Sequence, residues 1–360
     1  MKPYGKGKRG VLVVGEAPGE SEDEQGRPFV GKSGQLLRDT FRELDFEMDR
    51  MAWTTNALIC RPPKNQTPDE KRISYCRPNL FQTIQRLQPK VIVTLGRSAL
   101  SSLLGPVWTG DIGTMDRWVG WTIPLESYWV CPTWHPSYLL RMKSGLMDRL
   151  FKEHLEAALL RASTPVPGNV MKDFHPRLLF EDREIYEGIR ALDEEGGWAA
   201  VDYETNCLKP EWPEGRIVSC AISNGRVTIS YPWTPKAKVA TSLFLRSNRT
   251  KKISSNLKME ERWTIKEFGR GVENWRWDTM LAAHCLDNRT GVCSLKFQAF
   301  VKMGVPSYND KQATYLDNVK GSPYNRILEL DLHRLLHYGA TDAYLECQLA
   351  RVQRKELGYG

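Results

Sequence analysis

Several features that would place this chain in familiar classes are missing. No apolar run approaches the roughly 20 residues that a membrane-spanning helix needs. The N-terminus is rich in Lys and Gly with no apolar segment behind it, so no secretory signal is expected. Eight cysteines fall at irregular spacing, and none precedes Cys60, a pattern of reduced thiols in a cytoplasm rather than of a disulfide framework. There is no dinucleotide fingerprint, which disfavours a nucleotide-binding metabolic enzyme. Neither charge sign dominates: 51 Lys and Arg against 43 Asp and Glu leave +8 and a pI of about 9.0. That balance suits a polyanionic partner but carries little weight alone.

What is present is enough apolar residue for two cores. At 360 residues, 41% of them hydrophobic, two domains are the natural division. The composition places a linker at residues 163–177, where Ser163 to Gly168 is a Pro/Gly/Ser/Thr cluster. Residues 1–162 then form one domain and 178–360 the other.

The first domain is organised around Val11 to Gly34. Val11-Leu12-Val13-Val14 is short and β-branched and reads as a buried strand. The chain turns at Gly15-Glu16-Ala17-Pro18-Gly19 and continues as an acidic loop through Glu20, Glu22, Asp23 and Glu24. A phosphate-cradling loop is seldom so acidic, so a P-loop is disfavoured. A helical stripe is expected over Gln35 to Leu44, strands over Ala52–Thr55, Lys90–Leu95 and Trp129–Pro132, and helices from Pro68 towards Leu87 and over Asp148–Ala162. Strands alternating with helices imply a parallel sheet covered on both faces. Gly15, Asn56 and His135 each follow a strand end, so they gather on one sheet edge, where open α/β sheets place their ligands. Taken singly, His135 is as well read as a satisfied loop histidine, Asn56 as a turn residue and Phe29 as core.

Three segments in order change that weighting: GEAPGESEDEQGRPFVG from Gly15, TNALICRPP from Thr55, and HPSYLL from His135. Together they resemble the motifs of family 4 uracil-DNA glycosylases over about residues 10 to 162. The resemblance implies a three-layer α/β/α domain that excises uracil from DNA. A base must leave the duplex to be reached. Phe29 would stack on the flipped ring, Asn56 would read its edge as donor and acceptor, and His135 would donate to the uracil O2 as the base departs. Gly15 and Ala17 would line the pocket, Glu16 and Glu22 would lie near the sugar and the attacking water, and Glu22 would also help exclude thymine. Leu139-Leu140 resembles the segment that wedges into the minor groove. Members of this family usually hold an iron–sulfur cluster on four cysteines. Cys60 and Cys76 correspond to the second pair, but the first pair is absent, which makes the cluster doubtful.

In the second domain a helix over Arg183–Glu195 and strands over Trp198–Tyr203, Ile217–Ile222 and Val227–Tyr231 are expected, the last two joined by the hairpin signal Asn224-Gly225. Asp202 and Glu204, at i and i+2 of a strand, point to one face and repel each other unless a cation lies between them. Such a pair suits a hard divalent metal. Further on come Asn256-Leu257-Lys258-Met259-Glu260, then Trp277-Asp278-Thr279-Met280-Leu281, then Tyr338-Gly339-Ala340-Thr341-Asp342. This set resembles the motifs of the DEDDy 3′–5′ proofreading exonuclease of family A DNA polymerases, over about residues 178 to 355.

The resemblance implies a ribonuclease H-like domain with a mixed sheet. Its two Mg²⁺ or Mn²⁺ ions would be held by Asp202, Glu204, Glu260 and Asp342, with Tyr338 orienting the attacking water and Asn256 and Lys258 near the strand. Glu260 departs from the family, which usually has Asp there. The 360 residues leave no room for the polymerase itself, so a polymerase supplied in trans is expected as partner beside DNA. Two DNA-handling modules on one short chain suggest the compact genome of a bacteriophage, with the host cytoplasm as location. A second reading keeps the exonuclease and makes the glycosylase-like domain a silent DNA-binding or polymerase-docking module.

Overall fold

The computed structural model describes residues 1–125, 127–308 and 312–359. The chain is mixed α/β and divides into two units, one of Met1–Asn169 with Phe300–Ser307, the other of Val170–Ala299 with Tyr308–Gly360.

The sheet of the first unit comprises β1 (Val11–Gly15), β2 (Ala52–Asn56), β3 (Val91–Leu95), β4 (Ile123–Leu125) and β5 (Tyr128–Thr133), in the order β2-β1-β3-β5-β4. Every residue of β1 and β3 is buried, as expected of near-continuous apolar strands covered on both faces. The first four strands in that order are parallel, and β4 adds an antiparallel edge. That edge strand has only three residues, Ile-Pro-Leu, too few to show a period in the sequence. Their register levels the C-terminal ends: Gly15 pairs with Asn56, Val14 with Thr94, and Leu95 with Thr133. The helix expected from Gln35 begins earlier, at Lys32, and runs to Arg42; the acidic stretch after Gly19 is a short helix, Glu20–Gln25, rather than a loop. Three acidic residues in its first turn favour that helix through its dipole.

The second unit has a six-stranded mixed sheet. Its strands are β6 (Arg177–Leu178), β7 (Gly197–Thr205), β8 (Ile217–Ser223), β9 (Thr228–Pro232), β10 (Thr250–Ser254) and β11 (Trp275–Asp278), in the order β11-β10-β7-β8-β9-β6. β7, β8 and β9 form an antiparallel meander; β10 and β11 continue it in parallel. Alternation along β7 divides its side chains between two cores. Ala199, Val201 and Tyr203 enter the larger one, while Ala200 packs with Ala343, Cys347 and Ala350 of the 25-residue helix Leu332–Glu356. Asp202 and Glu204 share the parity of Ala200, so they face that helix.

Candidate active sites

In the first unit the levelled strand ends bring the polar residues together. Gly15 closes β1 with no side chain, and none would fit. A Cβ there would stand 2.5 Å from Asn56 Oδ1 and 2.8 Å from the Phe29 ring. Asn56 ends β2 and is buried, as is Phe29. Phe29 adopts a left-handed backbone, φ 59°, a conformation that costs a bulky residue energy and is retained where surrounding contacts enforce it. Gly34 packs against the Phe29 carbonyl so closely that any Cβ would collide with it, and Arg38 Nε donates to that carbonyl at 3.4 Å.

The acidic residues are also held. Glu22 Oε1 accepts from the Gly31 N–H at 3.0 Å, and Glu16 Oε2 accepts from the Ser98 hydroxyl at 2.7 Å. Ala17 is half-buried between them in sequence. Ser98 belongs to none of the recognised segments, and sequence offered no signal for it.

His135 N-caps the helix Pro136–Met142. Its Nδ1 accepts from the Ser137 N–H at 3.2 Å and lies 2.9 Å from the Ser137 hydroxyl. With Nδ1 an acceptor, the ring proton of the neutral imidazole sits on Nε2. Burial, then the nearby Arg141, push the His135 pKa down to about 4, against the opposing pull of Glu22. The ring is therefore a neutral Nε2–H donor at physiological pH. Next along this helix the two leucines separate: Leu139 is 2% exposed within the core, whereas Leu140 is 42% exposed. A helix turns about 100° per residue, so Leu140 points well away from Leu139. Of the expected leucine pair, Leu139 is therefore spent on the core and only Leu140 is left accessible.

Cys60 is exposed and Cys76 half-buried. Among the described residues no third Cys, His or carboxylate groups with them as a ligand set, so the side chains present do not make up an iron–sulfur site.

In the second unit Asp202, Glu204 and Asp342 each present an oxygen within 4.8 Å of the other two. The helix Leu332–Glu356 approaches β7 this closely because position 339 is glycine: a Cβ there would already lie 3.3 Å from Glu204 Cγ. Burial and the neighbouring Asp342 push the Asp202 pKa up to about 8, and burial with Asp202 and Asp342 raises Glu204 well above the carboxylate range. Asp202 Oδ2 is buried with no hydrogen-bond partner. Buried, mutually repelling, partly unpartnered carboxylates are the donor set of a hard divalent cation, so the residues fit that expectation.

Glu260 stands apart from this trio. It is 2% exposed, its pKa is raised by burial and by Asp202, and its Oε2 has no partner. It lies within the electrostatic reach of the trio but is not in its tight group. Tyr338 is buried in the same site, one helical turn before Asp342. Asn256 and Lys258 are exposed at the start of the helix Leu257–Phe268, Asn256 with φ 66°.

Three further side chains enter this site. Lys296 donates to the Tyr338 hydroxyl at 2.5 Å and lies 3.9 Å from Asp342. The Tyr308 hydroxyl donates to Asp342 Oδ1. Glu346, 2% exposed, accepts from the Ser255 N–H at 3.0 Å through Oε1 and leaves Oε2 unpartnered. Glu346 was legible in principle: Tyr338, Asp342 and Glu346 run at i, i+4 and i+8, one helical stripe. Lys296 and Tyr308 reach the site from loop-flanked segments with no such period.

Residues 2–159 match the uracil-DNA glycosylase superfamily. Through that region the chain belongs to this superfamily, with type-4 enzymes as its relatives. A type-4 uracil-DNA glycosylase of Thermotoga maritima is 38% identical over 148 residues, which are 41% of this chain and 75% of the relative. A DNA polymerase of Bacillus phage SP01 is 25% identical over 167 residues, 46% of this chain but only 17% of the polymerase. Among solved structures, Escherichia coli RNase D, an exoribonuclease, aligns at 13% identity and a TM-score of 0.40, covering 52% of this chain and 47% of its own.

Proposed function

We propose that the chain is a bifunctional DNA-processing hydrolase. Its first unit cleaves the N-glycosidic bond of deoxyuridine, and its second trims DNA from the 3′ end.

The observation that carries the first activity is the joint enclosure of one point by Gly15, Asn56 and Phe29, with His135 fixed as an Nε2–H donor. Phe29 stacks on the extruded base. The Asn56 amide pairs with the uracil edge and mismatches cytosine, whose donor and acceptor are exchanged. As the bond from C1′ to the base nitrogen breaks, negative charge develops on the base, and the His135 Nε2–H meets it at O2. Glu16 and Glu22, held by Ser98 and Gly31, face the sugar and the incoming water. Leu140 supports the opened duplex.

For the second activity it is the buried trio of Asp202, Glu204 and Asp342. These residues would hold two divalent cations, Mg²⁺ or Mn²⁺, with Glu260 reaching them at greater range. The cations supply Lewis acidity for the water and for the leaving 3′ oxygen. Tyr338 orients the water, and Lys296, donating to the Tyr338 oxygen, directs its O–H outward towards that water. Asn256 and Lys258 contact the strand. The kinship with a phage polymerase supports replication as the setting, with the polymerase acting in trans.

One assay separates the activities. Single-stranded, 5′-labelled DNA with one internal deoxyuridine is incubated in EDTA and then treated with alkali. Chelation silences a cation-dependent nuclease, so a break at the uracil that disappears in His135→Ala supports the bifunctional reading. An intact strand in EDTA, with 3′ trimming restored by Mg²⁺, leaves the first unit as a binding or docking module.

A further inference from the structure

An open groove of about 1040 Å³ follows the edge strand β11 and the end of the helix Leu332–Glu356. Neither proposed reaction uses it. Its walls carry the rings of Trp198, Trp275, Trp277 and Tyr359. The indole N–H groups of the β11 pair are already spent inside the protein, Trp275 on Glu261 at 2.9 Å and Trp277 on Gln353 at 3.2 Å. Towards the groove these two rings therefore offer carbon surface rather than donors. Tyr359 packs edge-on to Trp277 with centroids 5.8 Å apart and remains 61% exposed.

Cations are interleaved with the rings. Arg354 lies 4.1 Å and Lys251 5.3 Å from the Trp198 centroid, and Arg276 is exposed between the two β11 tryptophans. Three cations face one lining carboxylate, Asp278. That carboxylate is already engaged by the N–H groups of Asn256, Leu257, Met280 and Leu281. Among the described lining residues the basic side chains outnumber the acidic.

Asp278 and Leu257 are among the residues that line the groove. Leu257 leads into Lys258 and Glu260, and Asp278 is near enough to act on the Glu260 carboxyl, so the groove's lining adjoins the acidic residues of the same unit. Flat aromatic surface, alternating cations and few spare donors are the features with which proteins hold single strands without regard to sequence. A peptide adding to the β11 edge would need backbone complementarity but no such density of cations.

We propose that this groove binds single-stranded DNA 5′ of the nucleotide being removed, with bases on Trp275 and Tyr359 and phosphates on Lys251, Arg276 and Arg354. The direction of the strand rests on the nuclease reading; the binding does not.

The test measures binding in EDTA, where no cleavage intrudes, with oligothymidylates of about 4 and about 16 nucleotides, bracketing known site sizes. The double variant Lys251→Glu/Arg276→Glu, both exposed positions, is expected to weaken the longer strand at least about tenfold and to flatten its salt dependence. The shorter strand, confined to the nuclease site, keeps its affinity. A photoreactive base placed upstream of the 3′ end is expected to crosslink to the peptide containing Trp275 or to Tyr359. Equal losses for both lengths, no loss for either, or crosslinks only elsewhere would overturn the proposal. If Mg²⁺-dependent trimming were absent while the length-dependent loss persisted, the groove would stand as a single-strand site and the nuclease reading would fall.

Discussion

The two sites solve opposite electrostatic problems. The first gathers uncharged side chains at the strand ends, the Asn56 amide, the Phe29 ring and a His135 imidazole whose pKa is pushed down to about 4, with Glu16 and Glu22 each held by a hydrogen bond. The second gathers Asp202, Glu204, Glu260, Asp342 and Glu346 in a buried space, with the Lys296 ammonium 3.9 Å from Asp342. That arrangement is stable only if protons or metal ions share the charge. The first group of side chains needs no added charge to be stable, whereas the second is left with charge that only protons or cations can share.

The largest expected effect tests that difference directly. Asp202→Asn should lower Mg²⁺-dependent trimming at least about a thousandfold, the several kcal/mol that cation-held charge stabilisation supplies. Uracil excision in EDTA should be unchanged. The same substitution removes a buried repulsion, so in EDTA the melting temperature of the variant should rise. A fall would mean that Asp202 is structurally satisfied without metal.

The sites should also respond oppositely to acid, as melting curves in EDTA would show. The folded pKa of Asp202 is raised from 3.8 to about 8, so its contribution to stability is present at low pH and is lost as pH rises through 8. The folded pKa of His135 is depressed from 6.5 to about 4, so its contribution is present above 6.5 and is lost as pH falls towards 4. Acidification from pH 8 to 6.5 should therefore stabilise the second unit, and further acidification to pH 4 should weaken the first. Mg²⁺ should cancel the former trend and leave the latter.

A smaller effect concerns Lys296. Replacing it by Met removes a charge-assisted hydrogen bond to Tyr338, and kcat for trimming should drop about tenfold to a hundredfold. In a Tyr338→Phe background the same change should have little further effect, because the two act as one unit. Additive losses would assign Lys296 to the DNA instead.

Least affected should be Leu140→Ala. Excision should slow a few-fold on duplex DNA and not on single strands, since no stack has to be opened there. Equal slowing on both would place Leu140 in the pocket rather than at the duplex.

Much of this was legible in the sequence. Short apolar strands followed by glycine, asparagine or histidine located the first site, because strand ends in parallel sheets share an edge. The i, i+2 carboxylates of β7 and the i, i+4 pair on a helix located the second, because those periods set which side chains share a face. Ile123–Leu125 was too short to register, and the helix Glu20–Gln25 was hidden by its lack of any buried residue. The Cys60 and Cys76 pair suggested half a cluster, and among the described residues folding groups no further ligand with it.

Sequence alone determined the kinship with uracil-DNA glycosylases and which carboxylates could share a strand or helix face, since periodicity and order are local properties of the chain. Only the tertiary structure decided the rest. It seated Ser98 against Glu16 and Lys296 against Tyr338, and it turned Leu139 inward and Leu140 outward. It also drew Glu346 into the acid cluster and laid Trp275 and Tyr359 along one groove. These are contacts between residues tens to hundreds of positions apart, or choices between neighbouring faces of one helix, and no local pattern encodes them.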